Sequence, residues 1–438
     1  MTTSQLKATH SKIPRLIALS MASIIIVMPF HAFLTVWLSS IFGHYTLLRL
    51  WKELLLVALV VKVLYILALD TSLRHKFVTS RLNQLILVYV VLTFIWGSIE
   101  LLLDTVTPKA FGYGLLSNLR FLAFFLVVWV GASKAPQAFT SWPKWVLWPL
   151  VVVIVLGLLQ YFALPYDFLK HFGYSDQTIF PYETINNDVN HLRVFATLRG
   201  ANPLGAYLVL VLSILLAVWR QRLKGWRAVV LFGATAVLFL TFSRSAWIGL
   251  ALSMAVIAWV SWKSERAKRL GLGLVAVVLI AIAGFGFALR NNTTVQNIAF
   301  HTNEKSTIAT SSNDGHASAL KAGLKDIASA PLGKGIGSAG PASVYNDGKS
   351  RIAENYFIQV GQEVGWVGML LFLAITSYLA YELWRRRDDS LALGLLAALV
   401  GLSFVNLLSH AWTDDTLAYL FWGLAAVALA NKPMKQVQ

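Results

Sequence analysis

Arg193 and Arg199 sit close together in HLRVFATLRGANPLGAYL, just ahead of an apolar run, and Arg244 interrupts FLTFSRSAWIGL between two such runs. A guanidinium is a planar fork that holds a phosphate or carboxylate at two points. An arginine near bilayer depth is expensive and needs a partner or a wet cavity; otherwise it snorkels at a helix end. Asn202-Pro203 has the form of a helix start, with Asn as cap and Pro at the first position. The free N–H groups of such a terminus suit an anion, so Arg193, Arg199 and Arg244 are the candidate diphosphate-binding residues. His316, in the polar stretch 290–351, titrates near neutrality and can take a proton from a hydroxyl. Glu354 opens a later apolar run and is either a second candidate base or a group that orients one. Asn355 beside it and Arg120 in SNLRFLAF are supporting candidates.

Other residues carry weaker signals. PLGKGIGSAG holds four glycines, whose backbone can form an anion nest or simply a flexible turn; it lacks the spacing of a phosphate-binding loop. Lys52 with Glu53, and Arg120 with Glu100, are charged residues at or inside apolar runs, read as pairs that tie helices together. Glu363 lies about two turns inside its run, so it is either functional or the partner of a buried cation. Asp-x-Asp, HExxH and GxSxG are absent, and so is cysteine, which removes disulfide and thiolate sites. No metal, cofactor or nucleic-acid partner is expected.

These residues must be positioned by membrane helices. The chain is 57% hydrophobic and 13% charged, with a mean hydropathy of +0.65. Soluble domains carry about 25% charged residues, so lipid is the expected solvent for most of the chain. The expected fold is an all-α polytopic membrane bundle, a single integral domain over 1–438 with about 12 spans of roughly 20 residues each. They fall near 17–42, 46–69, 82–104, 113–132, 145–163, 202–219, 228–243, 245–262, 270–289, 356–381, 391–410 and 415–431. The first is too long for a cleavable signal segment. Short Lys/Arg-rich segments, such as 220–227, 263–269 and 385–387, alternate with the others. By the positive-inside bias both termini are cytoplasmic, and much of the +17 formal charge is explained without nucleic acid.

Two long loops, 164–199 and 290–351, are then extracytoplasmic. The first is rich in turn formers. The second carries short helices: Ser312, Asn313 or Asp314 can cap one, Leu320, Leu324 and Ile327 share a face, and Pro331 with Gly333 end it. That face can lie on the membrane surface or roof a cavity.

Four segments in order, RVFATLRGANPLGAYL (193–208), TFSRSAWIGL (241–250), GHASALKAGLKDIASAPLGKGIGSAG (315–340) and AENYFIQVGQEVGWVGML (353–370), resemble the O-antigen ligase and O-antigen polymerase superfamily of bacterial membrane proteins. The resemblance covers roughly residues 190–370, the expected core. It implies a glycosyltransferase of the bacterial cytoplasmic (inner) membrane in cell-envelope polysaccharide biosynthesis. Such an enzyme moves or polymerises a glycan from an undecaprenyl-diphosphate donor onto a glycan, lipid or wall acceptor, on the extracytoplasmic face, without metal or nucleotide. Arg193 and Arg244 fall on the arginine motifs. Many members place His where this chain has Glu354, whereas the GHAS pattern around His316 looks like polymerase-type and Gram-positive members. The base is therefore His316 or Glu354, and ligase and polymerase both stay open. A polysaccharide or lipid-linked sugar transporter or flippase is the alternative; no visible repeat between the halves supports it. A non-catalytic envelope subunit is a further rival.

Overall fold

A computed structural model describes residues 3–185, 188–221, 223, 225–262, 273, 312–347 and 351–430, with residues 3–12, 188–190, 312–317 and 347 described in backbone only. The expected span at 270–289, apart from Gly273, and the loop from 290 to 311 lie outside them.

The chain opens with α1 (Thr3–Val27) and α2 (His31–Phe42), separated by a 3-10 turn at Met28–Phe30. Next come α3 (Tyr45–Arg49), α4 (Trp51–Leu69) and α5 (Thr71–Thr79), with a 110° bend between the last two. Then follow α6 (Arg81–Leu102), α7 (Pro108–Lys134) and α8 (Trp142–Phe162). The core continues with α9 (Ala201–Trp219), α10 (Trp226–Leu240) and α11 (Arg244–Ser261). After the undescribed stretch come α12 (Ser312–Ser329), α13 (Val344–Asp347), α14 (Tyr356–Arg385), α15 (Ser390–Leu407) and α16 (Asp415–Ala430).

Among the described residues eight helices are long and apolar enough to cross a membrane, the bent pair adds a ninth, and α10 and α16 are shorter apolar helices. Every expected span outside 270–289 therefore has a helix, and the fold is a polytopic helical bundle. Its core is α9, apolar on all sides and packed against α11 and α15. Gly249 and Gly401 bring α11 and α15 into backbone contact, and Ser253 donates across the same seam to the Ala397 carbonyl at 2.9 Å. The outer faces of α4 and α6 expose Val57, Val61, Leu64, Val88, Val91 and Phe94. Such a surface is stable facing lipid and not facing water.

The first long loop departs from an all-helical reading. Its turn-rich sequence folds into a hairpin of β1 (Glu183–Ile185) and β2 (Asp188–Arg193), in antiparallel register Glu183 to Arg193 and Thr184 to Leu192. In the second loop, α12 forms and stops just before Pro331, as the breakers predict. Its buried seam, however, runs through Gly323 and Ile327 against Ala353 and Ile358, while Leu320 and Leu324 stay exposed.

The glycine run is neither a nest nor a loose turn. It is threaded between α6, α7 and α14. Lys334 and Gly335 donate their backbone N–H groups to the carbonyls of Gln362 and Glu363 at 2.9 and 3.0 Å, and Gly337 donates to Glu363 Oε1 at 3.0 Å. A Cβ on Gly337 (φ 92°) would lie 2.3 Å from the Ala110 carbonyl oxygen. Opposite, Gly365 (φ 72°) breaks α14, and a Cβ there would lie 2.4 Å from the Pro331 oxygen. Strap and kink fit because both surfaces are bare backbone. Glu363 thus holds the strap, together with Asn118 Nδ2 at 3.3 Å; of the two roles open to it, pairing with a buried cation is not found among the described residues.

Gly337→Val therefore combines a steric clash with a disfavoured φ and is expected to destabilise the protein by about 3 kcal/mol. Gly112→Ala, a site with open space around it, is the control. Thermal unfolding in detergent measures the difference, and equal midpoints would show that the strap is not seated as described.

Candidate active site

Two of the candidate residues, Arg193 and Arg244, converge on the turn that ends α10. α10 spans 15 residues, about 22 Å at 1.5 Å per residue, against about 30 Å of hydrocarbon. A helix that short, begun at one membrane edge, ends before the other. Its end carries the 241–243 turn, with Phe242 at φ 50°, and Arg244 as the first residue of α11. Arg244 is thus a helix-terminal arginine at a recessed turn and not a mid-span one.

Arg193, the last residue of β2, is drawn into the same turn. Its Nε donates to the Thr241 carbonyl at 2.9 Å, its Nη2 to Asn202 Oδ1 at 2.7 Å, and its Nη1 is 3.7 Å from Glu183 Oε2. Val194 N–H donates to the Leu240 carbonyl at 2.9 Å, locking the hairpin to the end of α10. Arg193 lies within electrostatic reach of Arg244. Burial lowers the Arg193 pKa and the Glu183 carboxylate opposes this, so the guanidinium stays charged but sparsely hydrated.

The start of α9 differs from the expected Asn202 cap. The cap position is Gly200, with no side-chain bond, and Ala201 is the first helical residue. Glu183 supplies the missing acceptor, with its two oxygens 3.3 and 3.2 Å from Ala201 N. A carboxylate already satisfies one free N–H of the terminus. This releases Asn202 to orient Arg193. Pro203 lacks an N–H and loses nothing in the first turn.

Arg199 is not brought to this pair. It is exposed, makes no hydrogen bond or ion pair among the described residues, and stands within electrostatic reach of His410. Burial, reinforced by Arg199, lowers the His410 pKa to about 4 against the pull of Asp414. Arg199 and Asp414 line one half-open polar cavity of about 100 Å³ with His31, Tyr45, Arg49 and Tyr113.

Glu354 precedes α14 in a left-handed conformation, φ 52°. For a non-glycine residue this costs on the order of 1 kcal/mol, and such strain collects at functional sites. Asn355 caps α14 by accepting from Ile358 N at 3.1 Å and donates to the Leu407 carbonyl at 3.1 Å, so it fixes the helix mouth to α15. His316 falls in the first turns of α12, and its side chain lies outside the described residues.

Beneath the cavity lies a buried charge network. Arg120 does not pair with Glu100. Its Nη1 donates to Glu53 Oε1 at 3.0 Å, and its Nη2 to Asp415 Oδ1 and to the Thr413 carbonyl, the latter at 2.9 Å. Lys52 Nζ reaches Glu53 at 3.1 Å, Asp415 at 2.9 Å and His31 Nε2 at 3.1 Å. The expected Lys52–Glu53 pair is present, within one helix. Glu53 and Arg120 also end an apolar groove of about 460 Å³ between α4, α6 and α7, lined by residues such as Val57, Val91, Phe94 and Leu119. One ionic cluster separates a lipid-facing groove from a polar cavity.

Glu183, Asn202, His410, Asp414 and Asp415 were not among the candidates read from the sequence. The adjacent Asp414 and Asp415 at the start of an apolar run were the one local signal. Residues 228–373, which include Arg244, α12, the glycine strap, Glu354 and Asn355, match the family model described as O-antigen ligase. Comparison with curated proteins finds no match.

Arg120→Met leaves two buried carboxylates, Glu53 and Asp415, to Lys52 alone and is expected to destabilise by about 3 kcal/mol. Adding Glu53→Gln and Asp415→Asn should recover part of the loss in thermal unfolding; no recovery would mean the charges are not coupled. For His410 the folded pKa lies below the ordinary 6.5, so the unfolded chain binds the proton first. Its contribution to stability is complete above pH 6.5 and declines as pH falls towards 4. Unfolding midpoints across that window should fall less steeply in His410→Gln, and parallel profiles would contradict the burial of a neutral imidazole.

Proposed function

Through residues 228–373 the chain belongs to the O-antigen ligase and polymerase superfamily, and from this premise we propose a membrane glycosyltransferase that uses a polyprenyl-diphosphate-linked glycan. The observation that carries the reading is the convergence of Arg193 and Arg244 on one turn: Arg193 Nε donates to the Thr241 carbonyl at 2.9 Å, and Arg244 opens the helix that follows. Glu183 offsets part of the charge on Arg193, and a diphosphate has the charge and the spread of oxygens to bridge two guanidiniums. Family membership and the set of apolar helices fit a bacterial inner-membrane protein.

The chemistry is a single displacement with inversion. The anomeric carbon is activated by its diphosphate leaving group. Arg193 and Arg244 stabilise the charge that builds on the departing oxygen. Asn202 and the Thr241 carbonyl fix Arg193, so the donor groups are already aimed when the bond breaks. The acceptor hydroxyl loses its proton to Glu354, whose strained backbone sets it at the mouth of α14, or to His316 on α12. No residue forms a covalent intermediate, and the cavity aligns the two sugars. The groove beside Glu53 and Arg120 is of suitable size and apolarity for the lipid chain of the carrier. The site faces away from the cytoplasm, as the alternation of basic segments implies.

Four measurements test this. Arg244→Lys keeps the charge and loses the planar fork, and product formation should fall about 100-fold; wild-type yield would remove the clamp role. Comparing Glu354→Gln with His316→Gln assigns the base: the essential one loses turnover and its low-pH limb, and two fully active variants would exclude both. Since the chain has no native Cys, an impermeant thiol reagent added outside cells should label Ser318→Cys and spare Arg222→Cys. The opposite pattern would invert the topology. Deletion of the gene should also alter lipid-linked glycans: single repeats accumulate if the protein polymerises, long chains if it ligates, and unchanged pools would contradict either role.

A further inference from the structure

The polar cavity beside Arg199 is a separate binding site with its own chemistry. Resting on the reading above, the geometry points to an acceptor-saccharide pocket, which holds the incoming sugar by its neutral hydroxyls while the diphosphate stays at Arg193 and Arg244.

The lining excludes a simple ion. Arg199 and Arg49 are cations, and Asp414 and Asp415 are carboxylates, all on one cavity. A diphosphate would meet two carboxylates and a metal cation two guanidiniums, so each is opposed within the same small space. A neutral polyol uses both kinds of group, because its hydroxyls donate to carboxylates and accept from guanidiniums. The groups also divide into fixed and available ones. Asp415 is pinned by Lys52 and Arg120, and Arg49 donates to the Tyr113 hydroxyl and lies over its ring at 5.0 Å. Arg199 makes no hydrogen bond or ion pair among the described residues. Asp414 has no ion pair and commits one oxygen to Leu417 N at 3.2 Å. One free donor and one free acceptor, set on a rigid ionic floor beside two tyrosine rings, suit a sugar that offers hydroxyls at its edge and C–H groups at its face.

The position is equally specific. Arg199 is in the segment that links Arg193 to the start of α9, so the cavity and the guanidinium pair are joined by a few residues of one backbone. Thr197 Oγ1 donates to the Pro29 carbonyl at 2.7 Å and anchors that segment over the α1–α2 break. The strap residue Pro341 forms part of the cavity wall. A sugar in the cavity therefore lies between the strap and the helix start that orients the clamp.

Binding to the purified full-length chain in lipid nanodiscs tests this without requiring turnover. The probes are a panel of methyl hexosides and methyl N-acetylhexosaminides, with inorganic pyrophosphate and glycine as charged comparators. At least one methyl glycoside should bind. Asp414→Asn, which keeps the helix cap, and Arg199→Gln, at an exposed position, should each weaken it about tenfold and leave pyrophosphate binding unchanged. Arg193→Gln and Arg244→Gln should do the reverse. The assignment is overturned if no glycoside binds, if glycoside binding ignores both substitutions, or if pyrophosphate or glycine is the probe that depends on Arg199 and Asp414. Failure of the diphosphate reading would show separately, as pyrophosphate binding indifferent to Arg193 and Arg244.

Discussion

Four buried charged side chains, at the first turns of α4 and α16 and midway along α7, set the terms for the rest of this structure. Lys52, Glu53, Arg120 and Asp415 come from α4, α7 and α16, and none is tolerable there alone. Two cations and two carboxylates cancel, and the contacts at 2.9–3.1 Å between Lys52, Glu53, Arg120 and Asp415 satisfy most of their polar atoms. Such a cluster is not evidence of high stability, because desolvation offsets much of the attraction. What it supplies is a fixed arrangement. Three helices share one register at this depth, and the two surfaces of the cluster face different solvents, hydrocarbon in the groove and polar groups in the cavity.

Helix ends are the second constraint. α10 and α16 are shorter than the other apolar helices, and the chain breaks between α1 and α2 at Met28–Phe30, so carbonyls and helix starts are brought together at their ends. Thr416 and Thr197 donate to the Met28 and Pro29 carbonyls, and Arg193 takes up the Thr241 carbonyl. Groups freed by the broken helices thus become the framework that aims the guanidiniums. The glycine strap is held because Glu363, buried in α14, accepts its backbone N–H. Irregular backbone at membrane depth is tolerated when it is buried in protein in this way.

Much of the bundle was legible in the sequence because hydropathy over about 20 residues is a strong local signal. The end of α12 just before Pro331 was legible too, since breakers act over one turn; that Asn355 caps α14 was not read. Features that depend on distant partners were not. The Arg120 partners lie 67 and 295 residues away, so no spacing reveals them, and Glu100 was simply the nearest acid of the right sign. The α9 start was misassigned because Glu183, across the hairpin, does the work expected of Asn202. The short strands were hidden among turn formers. The glycine run could not be interpreted from composition, since its meaning comes from neighbouring backbone so near that a Cβ at Gly337 would lie 2.3 Å from the Ala110 oxygen. Arg193 and Arg244 were visible as residues in two separate motifs; that the hairpin and the α10 turn bring them together was not.

The central claim is that the two guanidiniums at 193 and 244 act as one anion clamp for a carrier-borne glycan. The most direct test is turnover of a purified polyprenyl-diphosphate glycan by the Arg193→Gln/Arg244→Gln double variant, after its fold is verified by thermal unfolding. The account predicts a loss of at least about 1000-fold, not much larger than that of either single variant, because the pair works as a unit. Turnover equal to the unsubstituted protein would contradict it.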